Sequence, residues 1–263
     1  MDHLHTFSVG FEGSRDLDAA RQVARHLDTI HHEYILSEDE VIQLLPEILY
    51  HLESFDQDLV RSAIPTYFTA RLASEFVKVV LTGEGADELF AGYRYHRSIN
   101  DAHDLQDELR RSICSLHNIN LQRVDRLTMA HSIEARVPFL DVSMISLAQQ
   151  IPAKWKLHRM PNGDVVEKWV LRKACEDLLP PEIVWRDKEP FDEGSGTADL
   201  IGRRGLNEWL DQGSAEAYGA RYQHRQLRSH EECVYHKILA ETYQEADFIF
   251  TNVARWSDGQ TST

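Results

Sequence analysis

Three carboxylates, Glu84, Asp87 and Glu88, fall within five residues in the run Val79-Val80-Leu81-Thr82-Gly83-Glu84-Gly85-Ala86-Asp87-Glu88-Leu89-Phe90. An apolar, β-branched run leads into a glycine-flanked turn and then into a helix start. In open parallel sheets, ligands bind beyond the carboxyl ends of the strands. Gly83 and Gly85 let the backbone come close to a ligand, and Thr82 adds a hydroxyl and an N–H. Carboxylates there could share a magnesium ion with substrate phosphates. They could equally favour the positive end of the helix that follows. Both readings stand on these residues alone.

Other segments carry weaker signals. In Trp185-Arg186-Asp187-Lys188-Glu189-Pro190-Phe191, basic side chains lie between aromatics. A lysine delivered by such a loop would stabilise charge developing on phosphate oxygens, whereas the bland alternative is a solvated loop. Glu134 and Arg136, ahead of the apolar Pro138-Phe139-Leu140, suggest an internally paired loop that is either a binding element or a buried salt-bridged corner. Arg61, just before a helix, marks a possible anion-facing corner. His31 and His32 are neighbours on a strand and point to opposite faces, so they do not make a metal site.

The elements that would position these groups alternate early in the chain. Thr6 to Gly10 reads as a strand, Asp16 to Asp28 as an amphipathic helix, and His31 to Leu36 as a second strand. Ser37, with Glu40 three residues on, reads as a capping box for a helix in which Pro46 causes a kink or a restart. A further helix is expected from Ile64-Pro65, with proline at its first position. Phe76 to Leu81 reads as a strand buried on both faces. Strand, helix, strand, helix, strand indicates a parallel α/β sheet. Beyond Tyr95 the spacing is helical at 104–117, 120–131, 141–150, 165–179 and 226–242, with no clear strand. Loops are expected at Pro152–Asp164 and Pro190–Ala198, and a frayed tail from Trp256.

Composition narrows the class. The 263 residues include 28 basic and 43 acidic side chains, a formal charge of −15, which disfavours binding to nucleic-acid backbones. No run approaches the ~20 apolar residues of a membrane span. The first residues lack the basic flank and apolar core of a secretory signal. Three widely spaced cysteines, without a Cys-x-x-Cys pair, fit a reducing cytoplasm.

Taken in order, the segments resemble the synthetase domain of the glutamine-dependent asparagine synthetase family. The resemblance covers roughly Leu4 to Gly194. It rests on Phe7-Ser8-Val9-Gly10, on Leu81 through Gly92-Tyr93, on Ser132-Ile133-Glu134-Ala135-Arg136-Val137-Pro138-Phe139-Leu140-Asp141, and on Glu167-Lys168 through Leu171-Arg172-Lys173 to Arg186-Asp187-Lys188-Glu189.

The resemblance implies an α/β parallel sheet of the adenine-nucleotide alpha-hydrolase (ATP-pyrophosphatase) type, incomplete at its N-terminal edge, with a helical C-terminal layer. Residues 1–100 would form the partial nucleotide-binding region, 101–250 the helical part, and 251–263 a tail. It implies that ATP adenylates the β-carboxylate of aspartate, magnesium pyrophosphate leaves, and ammonia attacks the adenylate. Val9 would contact the adenine region, and Thr82 and Gly83 the ribose or α-phosphate side. Asp87 would ligate Mg2+, and the catalytic candidates are Glu84, which would position substrate or assist formation and breakdown of the intermediate, and Lys188, which would neutralise the α-phosphate. Arg61, Glu134 and Arg136 are the substrate-binding candidates. This reading requires the Lys188 amine to reach the acidic trio.

Two family features do not match. The pyrophosphate loop Ser-Gly-Gly-x-Asp-Ser, expected before Phe7, and the N-terminal glutaminase domain are both missing from the sequence. The residues after Phe191 follow the pattern only loosely. The chain thus resembles the C-terminal part of a longer enzyme, as a fragment, a truncated product or half of a split system. A separate glutaminase subunit or a homo-oligomer is the expected partner. The alternatives are a β-lactam synthetase-like ligase acting on another carboxylate, and an inactive remnant or interaction module.

Overall fold

Short polar side chains set the helix starts. A computed structural model of the chain describes residues 4–200, 206–244 and 247–255. Strand β1 (His5–Gly10) leads to α1 (Arg15–Leu27), where the Ser14 hydroxyl accepts the Leu17 N–H. Strand β2 (Ile30–Ile35) follows, then α2 (Glu38–Leu52), capped by Ser37 through the Glu40 N–H. Only half of the capping box forms. The Glu40 carboxylate instead accepts from the Tyr34 hydroxyl at 2.7 Å and from Arg71 at 2.7 Å.

Both proline expectations need correction. Helix α2 passes through Pro46 without a restart, its apolar stripe of Val41, Leu45, Ile48, Leu49 and Leu52 being buried in the core. Tertiary burial outweighs the local cost of proline there. Helix α3 (Gln57–Ser74) begins two turns earlier than expected, with Pro65 in its interior. Its start is fixed by the buried Asp56, which accepts the Leu59 N–H at 2.9 Å and pairs with Arg228 at 2.7 Å. Proline leaves the carbonyl four residues earlier without its helical donor. That carbonyl belongs to Arg61, and the Thr197 hydroxyl donates to it at 3.2 Å.

Strand β3 (Val79–Leu81) and the short α4 (Ala86–Phe90) carry the glycine turn. Helices α5 (Ala102–Ser115) and α6 (Asn120–Met129) lead to β4 (Glu134–Arg136), and α7 (Val142–Gln150) and α8 (Ala153–Lys156) to the hairpin of β5 (His158–Arg159) and β6 (Val165–Val166). Helices α9 (Trp169–Ala174), α10 (Pro181–Val184), α11 (Phe191–Ser195), α12 (Thr197–Leu200), α13 (Leu206–Trp209), α14 (Gln212–Arg221), α15 (His230–Thr242) and α16 (Asp247–Thr251) complete the described chain. The expected tail from Trp256 lies outside the described residues.

Among the described residues the strands form three two-stranded sheets: β1–β2 parallel, β3–β4 parallel and β5–β6 antiparallel. The expectation of no strand beyond Tyr95 is therefore corrected. Strand β4 has the unpromising sequence Glu-Ala-Arg and exists because β3 lies beside it. The Glu134 N–H donates to Lys78 O and the Thr82 N–H to Arg136 O, both at 2.9 Å. This is tertiary context overriding propensity. Nor is β3 buried on both faces, since Leu81 is 72% exposed and Phe76 46%. Its remaining edge has no bonded strand among the described residues.

The main core unites Val9 on β1 with α2, α3 and α15. His31 bonds to Thr6 and Ser8 while His32 bonds to His5, so the adjacent imidazoles do face apart. The three cysteines are free. No helix among the described residues is long and apolar enough to cross a membrane.

One buried titratable group gives the fold a pH signature. His96, fully buried, has its pKa pushed down by burial to about 4. A folded value below the unfolded ~6.5 means that acid favours the unfolded chain, which takes up the proton first. Stability should therefore fall through the window from pH ~6.5 to ~4, by about 2 kcal/mol at pH 4.5. In urea unfolding, His96→Gln should lose less stability than the parent chain between pH 7 and 4.5; equal losses would remove His96 as the cause.

Candidate active site

The glycine turn bends for a reason internal to the fold. Gly85 has φ +93°, and a Cβ there would lie 2.3 Å from Leu140 Cδ2. The close approach expected between Gly85 and a ligand is thus an approach to the Pro138–Leu140 turn. Gly83 differs, since a Cβ there would meet nothing within 4 Å. It is exposed and faces open space. Beside it, the buried Thr82 hydroxyl oxygen has no hydrogen-bond partner among the described residues.

The three carboxylates divide among three sets of partners. Glu84 pairs with the nearly buried Arg123 at 2.6 Å. Glu88, 1% exposed, accepts from the Tyr93 hydroxyl and from Asn120 Nδ2 at 3.1 Å. Burial raises its pKa above the usual carboxylate range. Asp87 lies between two ammonium groups, Lys168 Nζ at 2.9 Å from Oδ1 and Lys188 Nζ at 3.2 Å from Oδ2. The expected meeting of Lys188 with the acidic trio is therefore present, although residue 188 is 101 positions away. Burial alone would raise the Asp87 pKa, but the two lysines outweigh it and hold the carboxyl below its ordinary value. Burial lowers the Lys168 pKa, with Asp87 opposing the shift. The three side chains are each about one-fifth exposed, and their mutual pairing offsets the cost of partial burial.

Lys168 enters by an unusual backbone route. It has φ +52°, a left-handed conformation that is costly for a side-chain-bearing residue. Its N–H donates to Phe90 O at 3.2 Å, tying the start of α9 to the end of α4. Gly92 lies directly against the Asp87–Lys168 pair: a Cβ would sit 2.0 Å from Asp87 Oδ1 and 2.1 Å from Lys168 Cε. Gly92→Ala must therefore displace the pair or the backbone, at a cost of about 1–3 kcal/mol. A melting curve should show the loss, whereas an unchanged melting temperature would mean that the pair moves freely.

The loop carrying Lys188 is anchored on several sides. Arg186 pairs with Asp16 at 2.9 Å, Glu189 with Arg15, and Arg94 donates to Lys188 O at 3.0 Å. A cavity of about 270 Å³ lies between α9 and this loop, with Lys168, Arg172 and Lys188 on its wall. A larger cavity, about 460 Å³, lies between α5 and α8 and includes none of the carboxylates or lysines discussed here. The chemistry argues for the smaller one, where paired charges converge.

Other expected site residues lie elsewhere. Val9 is buried in the main core, so only its main chain can face a ligand. Arg61 is not free to meet an anion: its guanidinium is held by Glu231 on α15, at 2.6 and 2.8 Å. Glu134 and Arg136 pair with each other at 2.7 Å, both 61% exposed, so the corner is internally paired but not buried. Sequence reasoning missed Lys168, Arg123 and Gly92. The first lies in a quoted motif, but nothing in its spacing pointed to Asp87.

A resident magnesium site is not assembled by these residues. Both Asp87 oxygens face ammonium groups, and no cluster of three or more His, Cys, Asp or Glu able to hold a metal exists among the described residues. What the arrangement offers is a carboxylate that holds two lysine side chains close together. Such a pair can turn to an incoming anion.

Comparison with known proteins gives the family of the chain. The family model for asparagine synthase matches residues 1–112 and 97–257. A glutamine-hydrolysing asparagine synthetase of maize (Zea mays) is 40% identical over 210 residues, covering 78% of this chain and 36% of the relative. Asparagine synthetase 2 of rice (Oryza sativa subsp. japonica) is 41% identical over 204 residues, covering 76% and 34%. Asparagine synthetase 3 of Arabidopsis thaliana is also 41% identical, covering 76% and 35%. The chain thus spans about a third of the length of the curated relatives it matches. With the family model covering nearly all of it, the chain belongs to the asparagine synthase family.

Proposed function

We propose that this chain is the ATP-handling part of an asparagine-forming ligase. The observation that carries the reading is Asp87 bridging Lys168 and Lys188 beside an open glycine turn at the end of β3. The aspartate β-carboxylate would attack the α-phosphorus of ATP. An O–P bond forms as the bond to the bridging oxygen breaks, and pyrophosphate departs with the electron pair. Ammonia then attacks the acyl carbon, the C–O bond to AMP breaks, and asparagine forms with loss of a proton.

Attack of a carboxylate on a polyphosphate brings like charges together. Lysines already held at one point offset that repulsion without reorganising at the moment of reaction. Lys188 would turn from Asp87 to the α-phosphate oxygens, with Lys168 beside it. Thr82 would donate its hydroxyl and Gly83 would leave room for the ribose or α-phosphate. The main chain at Val9 would face the adenine. Glu84, held in place by Arg123, would orient the acceptor. Magnesium would enter here as part of the MgATP substrate.

The two parallel pairs, β1–β2 and β3–β4, are consistent with two parts of one sheet of the ATP-pyrophosphatase type. Edges with no bonded strand among the described residues, together with the exposed Leu81, would make the isolated chain prone to strand pairing. Sedimentation of the isolated chain should show oligomers or aggregates, and a monodisperse monomer would contradict this.

The function is tested by pyrophosphate release with ATP, magnesium, aspartate and ammonia, the rest of a relative's length being supplied as a second polypeptide. Release that depends on both aspartate and ammonia is expected. None under complementation would overturn the proposal, and adenylation of a different acid would move it to a related amide ligase.

A further inference from the structure

Two separate chain segments must hold their lysines at one carboxylate, and besides that carboxylate one side chain bonds to the main chain of both. Arg172 lies on α9. Its Nη1 donates to Val184 O at 2.6 Å and to Arg186 O at 2.8 Å, on the loop that ends in Lys188. Its Nε donates to Glu167 O at 2.9 Å, on the peptide that leads into Lys168. Its Nη2 lies 3.4 Å from the Glu167 carboxylate, which is 2% exposed and also pairs with Arg97 at 2.8 Å. A planar guanidinium presents donors in a fixed fork, so satisfying these carbonyls together fixes the distance between the segments that carry them.

We propose that Arg172 is a positioning residue that sets the spacing of the Lys168 and Lys188 ammonium groups. This rests on the nucleotide reading of the site but is separable from it. The left-handed backbone at Lys168 strengthens the argument, because such a conformation persists only where its surroundings over-determine it. The Arg172 Nε bond to the preceding carbonyl, together with the Lys168 N–H bond to Phe90 O, pins that peptide on both sides. Around Lys188, the Arg186–Asp16 and Arg15–Glu189 pairs draw the loop toward α1, while Arg172 draws it toward α9. Apart from Asp87, whose carboxylate meets both ammonium groups, no other side chain among the described residues is seen to bond both lysine-bearing segments. The role differs from the one proposed for Lys188, since Arg172 spends its donors on main-chain carbonyls.

The test is competitive acetylation of the folded chain, with each lysine followed by mass spectrometry, in Arg172→Ala and Arg172→Lys. A single ammonium on a flexible stem keeps the charge beside Glu167 but cannot reproduce the fork, so R172K should restore the melting temperature in large part without restoring the spacing. It should still leave Lys188 and Lys168 acetylating at least threefold faster than in the parent, while distant lysines such as Lys237 stay within twofold. Should R172A fail to fold, R172K carries the test alone. Labelling of Lys168 and Lys188 within twofold of the parent in both folded variants would overturn the proposal, as would an equal rise at every lysine. In the complemented pyrophosphate-release assay, R172K should lower kcat at least tenfold with KM for ATP changed less than threefold. A shift in KM alone would contradict positioning. Repeating the labelling of the complemented chain with MgATP separates the two ideas: selective Lys188 exposure in R172K without MgATP protection of the parent sinks the nucleotide reading and leaves the positioning role standing.

Discussion

Lys188→Met is expected to cut pyrophosphate release by the complemented chain about 10²- to 10³-fold, the usual cost of removing one preorganised donor from a developing anion. The loss should fall mainly on kcat. In the structure the Lys188 amine rests against Asp87 at 3.2 Å, and the proposed role has it turn from there to charge that appears later. Methionine keeps the length of the stem and removes only the charge. Lys168 alone would then balance Asp87, so the fold should survive. A variant with normal folding and less than a threefold loss would place Lys188 outside the chemistry.

The largest stability effect is expected far from that chemistry, at Glu232. This carboxylate is fully buried and accepts from Arg228 Nε at 2.8 Å, Arg255 Nη1 at 2.5 Å and the Gln57 N–H at 3.3 Å. Burial alone would raise its pKa, but the two arginines more than offset this and hold it below the ordinary value. Removing one partner from a buried ion network strands the other charges, at a cost of about 3–5 kcal/mol. Arg228 keeps its bond to Asp56, which argues for the lower end. Glu232→Ala should therefore lose about 3 kcal/mol in urea unfolding, and Glu232→Gln less. A loss below about 1 kcal/mol would show that the network is more solvated than its geometry implies. The same network caps α3, the helix that precedes β3, so this damage should spread toward the glycine turn.

Much of the candidate site is legible locally. A strand running into a glycine turn with three acids is a short-range pattern, and the structure keeps it: β3, the turn and α4 follow one another as read. The lysine loop is legible for the same reason. The helix start marked by Ser37 also appears where the capping residue stands. What escapes is choice of partner. Arg61 looks available for an anion until Glu231, 170 residues later, folds against it. Lys168 carries no local sign that it will share Asp87 with Lys188. Strand β4 is built from residues of low strand preference and forms only because β3 offers it a ladder. The Pro65 position misled for a related reason, since the carbonyl it frees is satisfied by Thr197, a donor from the far end of the chain. Spacing encodes faces and turns; pairing between distant segments depends on the packed whole.

The central claim is that Asp87 holds two lysines ready for a nucleotide's phosphates. Aspartate-dependent ATP–pyrophosphate exchange by the complemented chain tests it most directly, because exchange reports adenylation before ammonia takes part. Exchange that requires aspartate and disappears in Lys188→Met is the predicted result. Exchange that persists unchanged in that variant, or that never arises with aspartate, would contradict the account.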